Sequence, residues 1–170
     1  MKDGGTARRR ELQSSAFIPA APIEVAAGLV FRDGKLLITQ RRPQDHLGGL
    51  WEFPGGKRDP NESFEECLRR ELKEELGIEV EVGEVFDSVV HHYPERSVRL
   101  TFYRCLWRQH EPRALECHAF VWITAAQLSE YAFPPADEKL LQKLRSSPPL
   151  WRRTVERFNR PVKAFRKPLR

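Results

Sequence analysis

Two periods of hydrophobic and polar positions alternate along this chain. Residues 23–31 are small and β-branched and predict a strand; Asp33-Gly34 is a hairpin turn signal, and Lys35–Gln40 is the returning strand. The polar stretch 41–49 ends in a glycine pair and reads as a loop. A short strand over 50–53 follows and runs into Pro54-Gly55-Gly56. The period then changes. Phe64, Leu68, Leu72 and Leu76 recur every four residues, Ser63 and Glu66 have capping-box spacing, and Gly77 is a stop signal. A helix is therefore predicted over Phe64–Leu76. Strands are predicted at 78–90, with a break near Gly83, at 97–107 and at 117–123. Thr124 is a candidate cap for a short helix over 125–130. Residues 135–145 read as a last core helix with Leu140, Leu141 and Leu144 on its apolar side, and Phe102, Trp107 and Trp122 are candidate core. This irregular succession of short elements predicts an α/β chain: one mixed sheet covered by helices on its faces.

A chain of 170 residues is about one domain's worth, long enough for a sizeable core. No run of eighteen apolar residues is present, so no membrane-spanning helix is expected. Arg8, Arg9 and Arg10 precede an apolar stretch as in a secretory leader. Pro19, Pro22 and Glu24 break that stretch and it continues into a predicted strand, so a leader is not expected. Cys67, Cys105 and Cys117 have no metal-ligand spacing and read as free buried thiols in a reducing cytosol, which predicts a cytoplasmic protein.

Charge is uneven. Residues 151–170 hold eight basic and one acidic residue, and residues 1–16 hold four and two. Of the net +5, the intervening body therefore carries −4, and the basic character belongs to the ends. Residues 1–16 read as a flexible basic arm, 17–145 as the domain, and 146–170 as a basic amphipathic extension. In the extension, Ser146-Ser147-Pro148-Pro149 reads as a linker. Trp151, Val155, Phe158, Val162 and Phe165 follow at spacings of 4, 3, 4 and 3, with Pro161 opposing one unbroken helix. Three roles fit it: packing on its own domain, binding nucleic acid or another acidic partner, or lying on an anionic membrane.

The chemistry begins with Glu71, Glu74 and Glu75, which fall at i, i+3 and i+4 of the predicted helix and so project from one face. Three carboxylates there form either a solvated acidic face or a cation site. The surrounding residues 56–78, GKRDPNESFEECLRRELKEELGI, resemble the Nudix box, G-x5-E-x7-R-E-U-x-E-E-x-G-U with U aliphatic, at every fixed position. A chance match in a chain this long is on the order of 10⁻⁸. The resemblance implies the Nudix fold, a mixed sheet sandwiched between helices. It also implies a hydrolase that uses Mg²⁺, or Mn²⁺ in its place, to split a nucleoside triphosphate between its α and β phosphates, yielding monophosphate and pyrophosphate. Glu71, Glu74 and Glu75 would be metal ligands with Gly56, and Glu62 and Arg70 would form a supporting ion pair. The cation would neutralise the polyphosphate and orient and acidify the attacking water.

The resemblance widens to the MutT-like branch, which cleans the nucleotide pool of oxidised guanine triphosphates. TQRRPQDHLGGLWEFPGGK resembles that branch's approach to the box, and FPPADEKLLQKL resembles its base-reading segment. Carried over, Arg41 would contact phosphate or nucleoside, Phe53 would pack near the base, and Glu116 would be an extra carboxylate near the metals. Glu116 is equally an exposed loop acid. Asp137 falls at the base-reading position, where the bacterial pattern has Asn, and some relatives that prefer cytidine triphosphates carry Asp in this context. Ionised Asp only accepts, whereas Asn also donates, so 8-oxo-dGTP and a cytidine or methylcytidine triphosphate both stay open as substrates; Asp137 is alternatively the N-cap of the last helix. The general base stays open among Glu71, Glu74, Glu75 and Glu116; of the adjacent His91 and His92, strand alternation lets at most one face the cleft. Two other functions are compatible with the pattern: a non-catalytic reader of modified bases, against which the complete box argues, and hydrolysis of a different nucleoside diphosphate derivative.

Overall fold

The computed structural model describes residues 21–94 and 96–152. The arm at 1–16 and the positions Val155, Phe158, Val162 and Phe165 lie outside the described residues. In chain order the strands are β1 (Ile23–Arg32), β2 (Lys35–Gln40), β3 (Trp51–Glu52), β4 (Gly55–Lys57), β5 (Glu79–His92), β6 (Ser97–Gln109) and β7 (Ala119–Ile123). The helices are α1 (Phe64–Leu76) and α2 (Glu138–Arg145), joined by 3₁₀ turns at Ala126–Ser129, Pro135–Asp137 and Pro148–Trp151.

The seven strands make one sheet in the order β3-β2-β1-β6-β5, with β4 on β1 and β7 on β2. It is mixed: β1 and β6 run parallel, and the other pairs are antiparallel. β1 is the axis. Alternate side chains serve two cores, Ala27, Leu29 and Phe31 on one face and Ala26 and Val30 on the other. Such a strand reads as an unbroken apolar run because both its faces are covered. α1 covers one face with Cys67, Leu68, Leu72 and Leu76; α2 covers the other with Leu140, Leu141 and Leu144. Full burial of each leucine stabilises by roughly 1.5–3 kcal/mol. The fold is the mixed sheet between helices that the sequence predicts.

α1 has the predicted bounds, and its capping box closes in both directions between Ser63 and Glu66. Gly77 takes φ 69° and donates its N–H to the carbonyls of Leu72 and Lys73, which an L side chain would hinder. Asp33 and Gly34 both have positive φ, as a two-residue hairpin turn requires.

Other elements depart from expectation. Gly55 and Gly56, for which the sequence predicts no strand, are part of β4, paired to Ala27 and Ala26. The break near Gly83 is an irregularity inside a continuous β5, where the register with β6 shifts between Val82 and Val85. Thr124 does not cap: its N–H and hydroxyl both donate to Gln127 Oε1. The last helix is divided, because Pro135 begins a separate 3₁₀ turn, and Asp137 makes no side-chain capping bond. Pro148 and Pro149, expected in a linker, begin a 3₁₀ turn, and beyond them Leu150 and Trp151, the first apolar position of the extension's pattern, pack against the α2-side core.

Candidate active site

The cleft has a volume of about 740 Å³. Its floor comes from alternate residues of the parallel pair β1 and β6, where Ile23, Val25 and Ala27 stand in register with Val98, Leu100 and Phe102. Both arms of that register point to one face because strand side chains alternate. One wall is the β2–β3 loop, carrying Arg41, Arg42 and His46. Facing it is the β5–β6 turn, with Tyr93 and His46 in edge contact at 5.9 Å between ring centroids.

The acidic end is built by α1 and β4. Glu75 and Glu71 line the cleft, and Gly55 donates its N–H to Glu75 Oε2 at 3.2 Å. Gly56 passes so close to Glu71 that a β-carbon there would stand 2.3 Å from the carboxylate carbon. The loop after β6 closes this end. Leu115 and Glu116 both donate backbone N–H groups to the Glu75 carbonyl, and Arg113 donates to that of Leu76. These are carbonyls in the last turn of α1, which have no partner within the helix. By satisfying them the loop brings Glu116 beside Glu75. Burial, aided by Glu52, Glu71 and Glu116, pushes the Glu75 carboxyl up to about 8.

Arg70 stands behind this end. It grips Glu62 with two bonds, Nη2 to Oε1 at 2.6 Å and Nε to Oε2 at 3.1 Å, and its Nη1 reaches Glu71 at 2.9 Å and Glu74 at 3.1 Å. Arg70, with the Asp59 N–H, holds Glu62 down at about 2. Burial raises the Glu71 carboxyl, against the pull of Arg70.

At the other end, Asp137 is only 6% exposed and lines the cleft beside Pro134, Ala136 and Phe53, whose ring stacks on Phe133 at 5.3 Å. Burial, with the nearby Glu52 adding and Arg41 opposing, pushes the Asp137 carboxyl up to about 7. Glu52 sits between the two ends. It accepts from Arg41 Nη1 at 2.5 Å, and it raises both Asp137 and Glu75.

Gly56, Glu71, Glu75, Glu116, Arg41, Phe53 and Asp137 thus share one cleft, whereas Glu62, Arg70 and Glu74 lie outside its lining. Among the described residues no three acidic, histidine or cysteine side chains converge closely enough to hold a metal as they stand, since Glu71 and Glu74 are turned onto Arg70. The donor set nonetheless suits a hard divalent cation: burial first, and then the neighbouring carboxylates, disfavour the ionised Glu75, and such a cation offsets both. His91 and His92 do not line the cleft; His91 packs on Tyr93, and His92 meets Ser97 Oγ at 2.8 Å. Cys67 and Cys105 are buried as expected, but Cys117 is half-buried and lines the cleft. Sequence reasoning missed Glu52 and Arg42. A lone acid in the short apolar strand Trp51-Glu52-Phe53 was the available signal for Glu52. Nothing in the sequence separates Arg42 from Arg41.

A NUDIX domain model matches residues 26–143, and the chain belongs to that family. Within it the chain is a hydrolase of the MutT-like kind. It is 44% identical over 126 residues to the CTP pyrophosphohydrolase of Escherichia coli K12, covering 71% of this chain and 89% of that one. With the 8-oxo-dGTP diphosphatase of Haemophilus influenzae it shares 35% over 123 residues, 72% and 90% of the two chains. The solution structure of the E. coli ORF135 protein superposes with a TM-score of 0.64 at 40% identity, over 73% of this chain and 89% of that one. Nudix hydrolases generally use divalent metal ions. No helix among the described residues is long and apolar enough to cross a membrane.

Proposed function

We propose that the protein is a Mg²⁺-dependent nucleoside triphosphate pyrophosphohydrolase of the cytoplasmic nucleotide pool. It adds water across the α–β phosphoanhydride and releases monophosphate and pyrophosphate. The observation that carries this reading is the arrangement of one cleft with a buried acid, Asp137, at one end and Glu71, Glu75 and Glu116 at the other. That spacing suits a ligand with a base, a sugar and a charged tail.

Glu71, Glu75 and Glu116, with the Gly56 carbonyl, would hold Mg²⁺, and Mn²⁺ is accommodated by the same oxygen donors. When bound, the ion supplies charge neutralisation at the phosphates and acidifies water. The chain's own residues do the rest. Arg70 and Glu62 fix the helix face from behind, and the Arg70 bonds to Glu71 and Glu74 would loosen as those carboxylates turn to a cation. Glu75, whose carboxyl is raised to about 8 by burial and by its acidic neighbours, would accept the proton that the attacking water gives up. Phe53 and the apolar floor exclude water from the base. Arg41 holds Glu52, and the pair bounds the nucleoside end.

Asp137 reads the base. With its carboxyl held up at about 7, it keeps a proton through the lower neutral range and can both donate and accept, as Asn does. The substrate class that fits is a triphosphate with N–H groups on its base edge, an oxidised guanine or a cytosine type. The relatives' names point to the same two classes.

The test is a panel of 8-oxo-dGTP, 5-methyl-dCTP, CTP, dGTP and ADP-ribose with Mg²⁺ or Mn²⁺, read by product identity. We expect pyrophosphate from the triphosphates, a preference above about tenfold in kcat/KM for one base, and no turnover by Glu75→Gln. Equal kcat/KM for every triphosphate would show that the cleft selects no base. Base binding without turnover would favour the non-catalytic reader, and turnover of ADP-ribose alone would move the substrate to another nucleoside diphosphate derivative.

A further inference from the structure

Arg41 and Arg42 both line the cleft, but they are committed differently. Arg41 is spent within the protein: Nη1 donates to Glu52 Oε2 at 2.5 Å and Nε to the His46 carbonyl at 2.7 Å. Arg42 donates from Nη2 to the Leu115 carbonyl at 3.2 Å, and among the described residues no carboxylate pairs with it. The loop that carries them is folded onto itself. Arg41 donates its N–H to Leu50 O at 2.9 Å, Gly49 returns one to Arg41 O at 3.1 Å, and Asp45 donates to Arg42 O at 3.0 Å. The two guanidinium groups therefore leave from fixed points on one wall.

They serve different ends of the cleft. Arg41 is tied to Glu52, whose neighbour Phe53 stacks on Phe133 in the segment that leads to Asp137. Arg42 is tied to the Leu115 carbonyl, and the N–H groups of Leu115 and Glu116 donate to the Glu75 carbonyl at the end of α1. Arg41 thus stands toward the Asp137 end of the cleft and Arg42 at the Glu75–Glu116 end. A triphosphate whose base lies at Asp137 extends its tail toward Arg42.

We propose that Arg42 binds the β and γ phosphates of the substrate, the pair that leaves as pyrophosphate, while Arg41 remains in the protein's own ion pair with Glu52. This rests on the reading of the site as a triphosphate cleft. A guanidinium without a carboxylate partner has most of its donors free, in a fork that matches phosphate oxygens two at a time. Arg41, already giving two bonds to protein oxygens, has less to offer. Arg42 also sits where phosphate most needs a cation, since Glu75 and Glu116 otherwise repel it.

The experiment needs no turnover. Inorganic pyrophosphate is titrated into the full-length protein with saturating Mg²⁺ by calorimetry, and nucleoside monophosphate is titrated separately, for wild type, Arg42→Ala and Arg42→Lys. Mn²⁺ affinity and melting temperature are measured alongside. We expect pyrophosphate to bind about tenfold more weakly to Arg42→Ala, the loss of a charge-assisted pair, with Arg42→Lys recovering part of it. Monophosphate and Mn²⁺ affinities and the melting temperature are expected to stay at wild-type values. Unchanged pyrophosphate affinity in Arg42→Ala, or a wild type that binds no pyrophosphate, overturns the assignment. So does a parallel fall in Mn²⁺ affinity, which would make Arg42 a support for the Glu116 loop and not a phosphate contact. Should the triphosphate panel fail while pyrophosphate binding depends on Arg42, the substrate reading falls and the phosphate contact stands.

Discussion

The Gly56 backbone and the Glu71 carboxylate occupy space that no side chain could share: a β-carbon at Gly56 would lie 2.3–2.5 Å from the carboxylate atoms. Real β-carbons do not approach other atoms so closely, so any residue larger than glycine must displace Glu71 or push β4 off β1. Gly56→Ala is therefore expected to lower kcat/KM by a hundredfold or so, in the range that misplacing a catalytic group costs. It should also weaken Mn²⁺ binding while leaving the far-ultraviolet circular dichroism unchanged. Full activity in Gly56→Ala would detach Glu71 from the site.

Glu75 gives a pH signature. Its carboxyl, raised by burial first and by Glu52, Glu71 and Glu116, stands at about 8 against 4.5 in the unfolded chain. A raised acid contributes stability that is complete below 4.5 and is lost as pH rises through 8. The metal-free protein should therefore lose melting temperature between pH 5 and pH 9, relative to Glu75→Gln. A divalent cation stabilises the carboxylate form, so the rise in melting temperature on adding Mg²⁺ should be larger at pH 8.5 than at pH 5.5. Glu75→Gln should abolish most of that difference. A Mg²⁺ shift independent of pH, and equal in the variant, would count against Glu75 as a ligand.

What the sequence made legible was local. α1 could be bounded to the residue because its cap, its four-residue repeat and its stop at Gly77 lie within one segment. β4 could not, because a Gly-Gly pair has no strand preference, and it is extended only through pairing with Ala26 and Ala27, some thirty residues away. The site divides in the same way. Glu71 and Glu75 follow from helical spacing, but Glu52 matters through its bond from Arg41, just past the end of β2, and through its charge on Asp137 far along the chain. Asp137 itself was legible as a residue and open as to role. The 3₁₀ turn that Pro135 starts removes it from capping duty and leaves it facing the cleft.

Asp137→Asn should act on both stability and pH dependence. Burial, with Glu52, holds the wild-type carboxyl at about 7 against 3.8 unfolded, so its stabilising contribution is full below 3.8 and gone above 7. The uncharged Asn avoids that loss, and the variant should gain on wild type from pH 5 to pH 8, by on the order of a few kcal/mol at most. In catalysis, ionisation removes a donor from wild type but not from Asn. For the preferred triphosphate, kcat/KM of wild type should therefore fall across pH 7 relative to that of Asp137→Asn. Identical profiles for the two proteins would remove Asp137 from base reading.

Trp151 anchors the chain just past the matched family region. Its ring meets Phe31 edge-on at 5.5 Å, and its Nε1–H donates at 3.0 Å to the Leu144 carbonyl, in the last turn of α2. α2 has eight residues, too few to persist without tertiary support. Trp151 therefore secures the helix that follows Asp137. Removing a half-buried indole and its hydrogen bond should destabilise by roughly 2–3 kcal/mol, below the range for a fully buried Trp→Ala change. In a domain of this size that lowers the melting temperature by about 5–10 °C. Trp151→Phe, which keeps a ring and loses only the N–H, should retain about half of the stability. If Trp151→Ala melts with wild type, this segment contributes nothing to the core, and the linker expectation for residues 146–149 regains its ground.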